Sequence, residues 1–192
     1  MKFTIIVFLI FTQTSFGQSS RTMYFNEIGW TIIIPPEFSI IDSGAKATEL
    51  DKRGVDIVAE NTGKRFDYST LVHLFTAKKD NQTYFIAGYD STSEINANNW
   101  QALDSISSEA GLQTILKIML FKADTLHSVK VVDGVVFKNT QSNFFITKSE
   151  TKTVCLLRTY YKKVYLTITY SYDNAESFKE INTMLSTSKF KR

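Results

Sequence analysis

The chain opens on a pattern unlike anything that follows it: Lys2, an unbroken apolar run from Ile5 to Phe11, then polar and small residues through Thr14, Ser15 and Gly17. That order is the one a secretory signal requires, and the run is far shorter than the roughly 20 apolar residues that span a bilayer. Ser15-Phe16-Gly17 sets small residues where signal peptidase reads them, so residues 1–17 read as a signal peptide and 18–192 as a single domain starting at Gln18. No cysteine lies near that point to accept a lipid, Cys155 being the only one. The mature chain is therefore expected to be exported, periplasmic or extracellular, with no stable membrane anchor.

Along the rest of the chain the apolar positions change period several times. Gly29-Trp30-Thr31-Ile32-Ile33-Ile34 is rich in β-branched residues and is stopped by Pro35-Pro36, which cannot donate to a ladder; it reads as a buried strand that ends abruptly. From Asp42 to Asn61, Ala47, Leu50, Ile57 and Val58 fall near helical spacing, with Gly63 where a left-handed cap would stand. Thr70–Thr76 and Thr83–Tyr89 are β-rich runs around a polar turn at 79–82, and should pair as a hairpin. Between Asn98 and about Leu120 the helical period returns in Trp100, Leu103, Ile106, Ala110, Ile115 and Met119, predicting the longest helix. Asp133-Gly134 between β-branched residues is the strongest hairpin dipeptide in the chain.

Two further runs alternate well, Val154–Tyr161 and Val164–Tyr172, separated by Lys162-Lys163. A two-residue turn there sets Tyr160 opposite Tyr165, Arg158 opposite Thr167 and Leu157 opposite Ile168. Leu157, Val164, Leu166, Ile168 and Tyr170 then form a core face, while Arg158, Tyr160, Tyr165, Thr167 and Thr169 form an amphipathic one with room for contact with solvent. Asp173 and Glu176 have capping-box spacing ahead of a last helix whose buried stripe is Phe178, Ile181 and Leu185. The order of elements gives an α+β protein with a mostly antiparallel sheet and helices over both faces.

Composition trims the possibilities. A net charge of +3, less Lys2 after processing, gives no basic patch of the kind nucleic-acid binding needs, and Lys189, Lys191 and Arg192 read as a solvated tail. One cysteine rules out an internal disulfide, so stability rests on packing, in keeping with 43% hydrophobic and 14% aromatic residues.

Three features together resemble the PsbP-like group: the aromatic strand from Gly29-Trp30 to Ile34-Pro35, the Asp133-Gly134 hairpin before a long strand, and the closing Tyr170–Phe190 segment ending in Ser188-Lys189-Phe190. That group holds photosystem II extrinsic proteins, a Ran-binding import factor of related fold and many bacterial exported proteins of unknown function. The resemblance implies an α/β/α sandwich with a mostly antiparallel central sheet and an accessory or partner-binding role. It transfers no site residue.

Candidate chemistry is sparse. His73 and His127 have no ligand-type neighbours at i+3 or i+4, so no metal or cofactor is expected. Cys155 lies mid-strand, where an inert buried thiol is the ordinary meaning. Glu49, Asp51, Asp56 and Glu60 are interleaved with Lys46, Lys52 and Arg53 and read as a solvated helix face. What remains is the mixture of guanidinium, phenol and hydroxyl on Arg158, Tyr160, Tyr165 and Thr167, the kind of surface that anchors a protein or small ligand. A non-enzymatic exported accessory or binding domain is the first expectation. The alternative is a small extracytoplasmic, hydrolase-like enzyme whose site is assembled from distant residues, His73 among them.

Overall fold

A computed structural model describes residues 19–42, 69–105, 122–147 and 150–191. The signal segment 1–17, the helix expected at 42–61 and the part of the long helix beyond residue 105 lie outside these residues, apart from Asp42, which closes a strand.

Among the described residues ten strands and two helical segments follow one another: β1 (Arg21–Phe25), β2 (Trp30–Ile34), β3 (Ser39–Asp42), β4 (Leu71–Lys78), β5 (Tyr84–Asp90), a helical segment α1 described at 100–105, β6 (Lys122–Val132), β7 (Val135–Phe145), β8 (Thr151–Tyr161), β9 (Val164–Tyr172), α2 (Ala175–Thr187) and β10 (Lys189–Phe190). Instead of one sheet the strands make two, a three-stranded sheet in the order β1-β2-β10 and a seven-stranded sheet in the order β3-β4-β5-β9-β8-β7-β6. Every pairing is antiparallel. β1 and the two-residue β10 had no sequence signal of their own; they exist because they flank β2 and share its buried face.

Turn chemistry explains the hairpins. Asp133 and Gly134 take φ of 47° and 81°, as a type I′ turn demands. Lys162 and Lys163 do the same at 47° and 67° although neither is glycine, and the expected register holds: Tyr160 faces Tyr165, Arg158 faces Thr167 and Leu157 faces Ile168. Between β4 and β5, the Asp80 carboxylate accepts the backbone N–H groups of Gln82 and Thr83 at 2.7 and 2.6 Å and closes the turn. Burial acts to raise its pKa, but these hydrogen bonds outweigh it and hold the Asp80 carboxyl below its ordinary value.

One face of the large sheet carries the core. Trp30 stacks on Phe190 with centroids 5.6 Å apart and lies 6.0 Å from Phe75. Phe75 continues to Phe85 at 5.7 Å, and Phe85 to Tyr170 at 6.3 Å, so a row of rings joins the two sheets. Ile181, Met184 and Leu185 of α2 pack into the same core beside β2 and β9. The helix departs from expectation in two details. Its cap is Asn174 rather than Asp173, with the amide oxygen accepting the N–H of Ser177 at 2.9 Å. Met184, not Phe178, completes the buried stripe; Phe178 turns outward and rests its ring on Tyr172 at 4.8 Å.

Candidate functional site

Strand alternation sends Lys138 and Thr140 of β7, Arg158 and Tyr160 of β8, and Tyr165 and Thr167 of β9 to the face of the large sheet opposite the aromatic row. Helical segment α1 meets this face. It brings Asp104 against Arg158, with Arg158 Nη1 3.0 Å from Asp104 Oδ1, and both residues are only 4% exposed. The Tyr165 hydroxyl donates to the same carboxylate oxygen at 2.5 Å, and Lys138 Nζ lies 3.4 Å from the other. Arg158 Nη2 donates to Thr140 Oγ1, which in turn lies 3.2 Å from His127 Nδ1. A continuous polar chain thus runs across β6, β7, β8, α1 and β9.

The consequences are electrostatic. Burial first, and then the hydrogen bond to Asp104, push the Tyr165 phenol far above the ordinary tyrosine range. Arg158 Nε is buried and has no hydrogen-bond partner. Ion pairs of this kind contribute little net stability when intact but cost several kcal/mol when one partner is removed, because the other charge stays desolvated.

The site residues read from sequence therefore divide. Arg158 and Tyr165 belong to the ion-paired cluster beneath α1, whereas Tyr160 and Thr167 remain half-exposed beside it. Around them, Lys138 Nζ stands 5.3 Å from the centroid of Trp100, and Trp100 lies 6.3 Å from Tyr165. Asp104 was missed in the sequence. Helical periodicity assigned the inward stripe to Trp100 and Leu103, yet Leu103 is 38% exposed while Asp104 is buried. The guanidinium across the sheet selects the helix face, and nothing near residue 104 in sequence announces it.

The other reactive groups are spoken for. His73 Nε2 is 3.0 Å from Thr76 Oγ1, and three strand spacings, about 14 Å, separate its row from Arg158. Cys155 is buried in the core, where burial pushes its thiol pKa up against hydrogen bonds with Tyr170 and Tyr172 that act to lower it. Among the described residues no three His, Cys, Asp or Glu side chains are grouped to hold a metal, and no helix is long and apolar enough to cross a membrane. A cleft of about 440 Å³ opens between β2 and β3, lined by Arg21, Ile34, Pro35, Pro36 and Phe38 among others.

No protein-family model matches the sequence, and no curated protein matches it. Among solved structures, the solution structure of cyanobacterial PsbP (CyanoP) from Synechocystis sp. PCC 6803 is similar with a TM-score of 0.54 at 8% identity, over 91% of this chain and 94% of that one. A crystal structure from Bacteroides thetaiotaomicron VPI-5482 gives a TM-score of 0.49 at 11% identity, over 91% of this chain and 49% of that one. The α+β arrangement built from these residues is the PsbP-like fold.

Proposed function

We propose that the protein is an exported, non-catalytic accessory domain that binds a protein partner through the surface around Tyr160 and Thr167. The observation that carries this reading is the division of labour on the polar face. Asp104, Arg158 and Tyr165 are joined in an ion-paired cluster that reaches Lys138 and, through Tyr165, Trp100, while Tyr160 and Thr167 stand half-exposed on the rim beside it. Rigid aromatic and cationic groups of this type carry most of the energy in protein interfaces, and a rim held in advance loses less entropy on binding. Catalysis would ask for a histidine or a thiolate free to act in the same space; His127 on this face is 3.2 Å from Thr140 Oγ1, His73 is engaged by Thr76, and the Cys155 thiol is buried on the opposite face.

A photo-crosslinking residue placed at Tyr160 in the producing cell tests the proposal, with a second placed at exposed Tyr24 as control. A discrete protein adduct from position 160 that is absent from position 24 and lost on Lys138→Glu is the expected result. Equal labelling from both positions, or none from 160, overturns it.

A further inference from the structure

The large sheet has two edges, and they are built differently. β3 is four residues long, follows the Pro35-Pro36 pair closely and has a register shift between Ile40 and Asp42. β6, at the other edge, runs eleven residues from Lys122 to Val132, has no proline and pairs with β7 without a break. Short strands, bulges and prolines are among the ways proteins disarm a free edge, and β6 has none of these three; its charges, Lys122, Asp124 and Lys130, are of both signs and can pair across a matching strand. Among the described residues no strand pairs with its outer backbone groups, which offer a template for another strand. Leu126, Val129 and Val131 along it are 60, 66 and 61% exposed, and Val136 across the hairpin is 57% exposed.

We infer that β6 is the pairing edge of a two-fold dimer of this chain, joined antiparallel through β6 of a second copy. A two-fold axis perpendicular to the sheet returns each side chain to the same face. Paired residues must then share a face, so a residue of the strand sits on the axis and faces its own copy. With His127 on the axis all eleven residues pair. Asp124 of each copy then stands opposite Lys130 of the other, Thr125 opposite Val129, and Ala123 opposite Val131. Moving the axis to Leu126 sets Lys122 against Lys130, and moving it to Ser128 sets Asp124 against Val132; both shorten the ladder. The charges select the register centred on His127.

Among the described residues those charges are not ion-paired in the single chain. Among the described residues the hydrogen-bond partners of Lys130 Nζ are neutral, Asn182 Oδ1 at 2.9 Å and the Tyr170 hydroxyl at 3.4 Å. Among the described residues neither Lys130 nor the exposed Asp124 has an ion-pair partner. Burial of the Lys130 amine lowers its pKa, so a carboxylate arriving from a second copy meets a charge that solvent only partly compensates. Side chains directly opposite in an antiparallel pair have Cβ atoms roughly 5 Å apart, within reach of Asp and Lys.

Sedimentation equilibrium over a concentration series, with the purified chain and two charge variants, tests the dimer. The wild type should approach twice the chain mass as concentration rises. Asp124→Lys places lysine opposite lysine twice, and Lys130→Asp places aspartate opposite aspartate twice, so each should weaken association by roughly tenfold or more. Their equimolar mixture restores both opposite-charge pairs and should dimerise again. Because Lys130→Asp also removes a contact with α2, His127→Cys supplies a second reading: mild oxidation should give an intermolecular disulfide, which Asp124→Cys should not. A wild type monomeric at every concentration, a dimer indifferent to Asp124→Lys, or a His127→Cys chain that fails to cross-link overturns the inference. So does a strand from another protein occupying β6 while the pure chain stays monomeric.

Discussion

The two faces of the seven-stranded sheet are stabilised in opposite ways. On one, Trp30, Phe75, Phe85 and Tyr170 form a continuous row of rings packed against β2, β10 and α2. On the other, a few polar groups hold α1 in place through one buried carboxylate. Dispersion and apolar burial are shared among many contacts, so each ring contributes in proportion to its area. A buried charge behaves differently: its net contribution is small while all its partners are present and strongly negative once they are not. The apolar face should therefore lose stability in proportion to the area removed. The polar face should fail at single positions.

The largest expected effect lies on the apolar face. Phe75 touches Phe25, Trp30 and Phe85 at centroid distances of 5.5, 6.0 and 5.7 Å and is wholly buried. Phe75→Ala should cost about 4 kcal/mol through lost burial and the cavity left behind, measured by urea denaturation. A loss below ~1 kcal/mol would mean the row is not the core.

Next comes the guanidinium. Arg158→Met should cost roughly 3 kcal/mol because Asp104 stays buried after the guanidinium paired with it at 3.0 Å is gone. The sharper comparison is the double variant. Asp104→Leu with Arg158→Met removes both charges and should recover most of that loss, whereas pairs of truncations on the aromatic face should be no better than additive. If the double variant is as unstable as Arg158→Met alone, the polar face is stabilised by packing and the contrast between faces disappears.

The same contrast governs what could be read from the sequence. Apolar alternation with period two is a local signal, and it set the β8–β9 register through a Lys162-Lys163 turn that lacks glycine, because any one-residue slip would bury Arg158 and Thr167 in the core in place of Leu157 and Ile168. Asp133-Gly134 was equally legible. Three things were not. β10 is two residues long and owes its existence to β2, far away in sequence. The first nine residues of β6 carry no clean alternation, because an edge strand buries neither face fully. Asp104 turned inward against helical periodicity because an arginine 54 positions later, on another element, outweighs the apolar stripe. Local pattern carried the apolar face, and long-range charge pairing decided the polar one.

A smaller effect depends on pH. The Tyr165 phenol has its pKa raised in the folded chain, by burial first and then by its hydrogen bond to Asp104. A group raised on folding stabilises fully below its unfolded value near ~10 and loses that contribution as pH climbs past it, because the unfolded chain can ionise where the folded one cannot. Tyr165→Phe should cost about 2 kcal/mol at neutral pH, the scale of a hydrogen bond to a charged acceptor. That gap should close in melts run above pH ~10. The tyrosine of the apolar face supplies a control: Tyr170 is raised chiefly by burial and then by Cys155, so Tyr170→Phe should share the alkaline trend but lose less at neutrality, its hydroxyl meeting the Cys155 thiol and a 3.4 Å contact from Lys130 in place of a carboxylate.

The smallest effect on stability bears most directly on function. Tyr160 lies on the polar face directly opposite Tyr165 on the neighbouring strand, but it is half-exposed and takes no part in the Asp104 cluster. If the polar face is a clasp with a recognition rim, Tyr160→Ala should change stability by less than ~0.5 kcal/mol, the ordinary range for surface substitutions, while removing aromatic area from the rim. Combining it with Tyr165→Phe should add nothing beyond the single loss, because the two hydroxyls do not share a partner. Thermal melts of the single and double variants give the stability part, and adduct yield from a crosslinker moved to Thr167 gives the binding part. Unchanged melting with a fall in adduct separates the rim from the clasp. A melting temperature lowered by more than ~4 °C would assign Tyr160 to the packing of the polar face and leave the proposed partner surface without its central aromatic side chain.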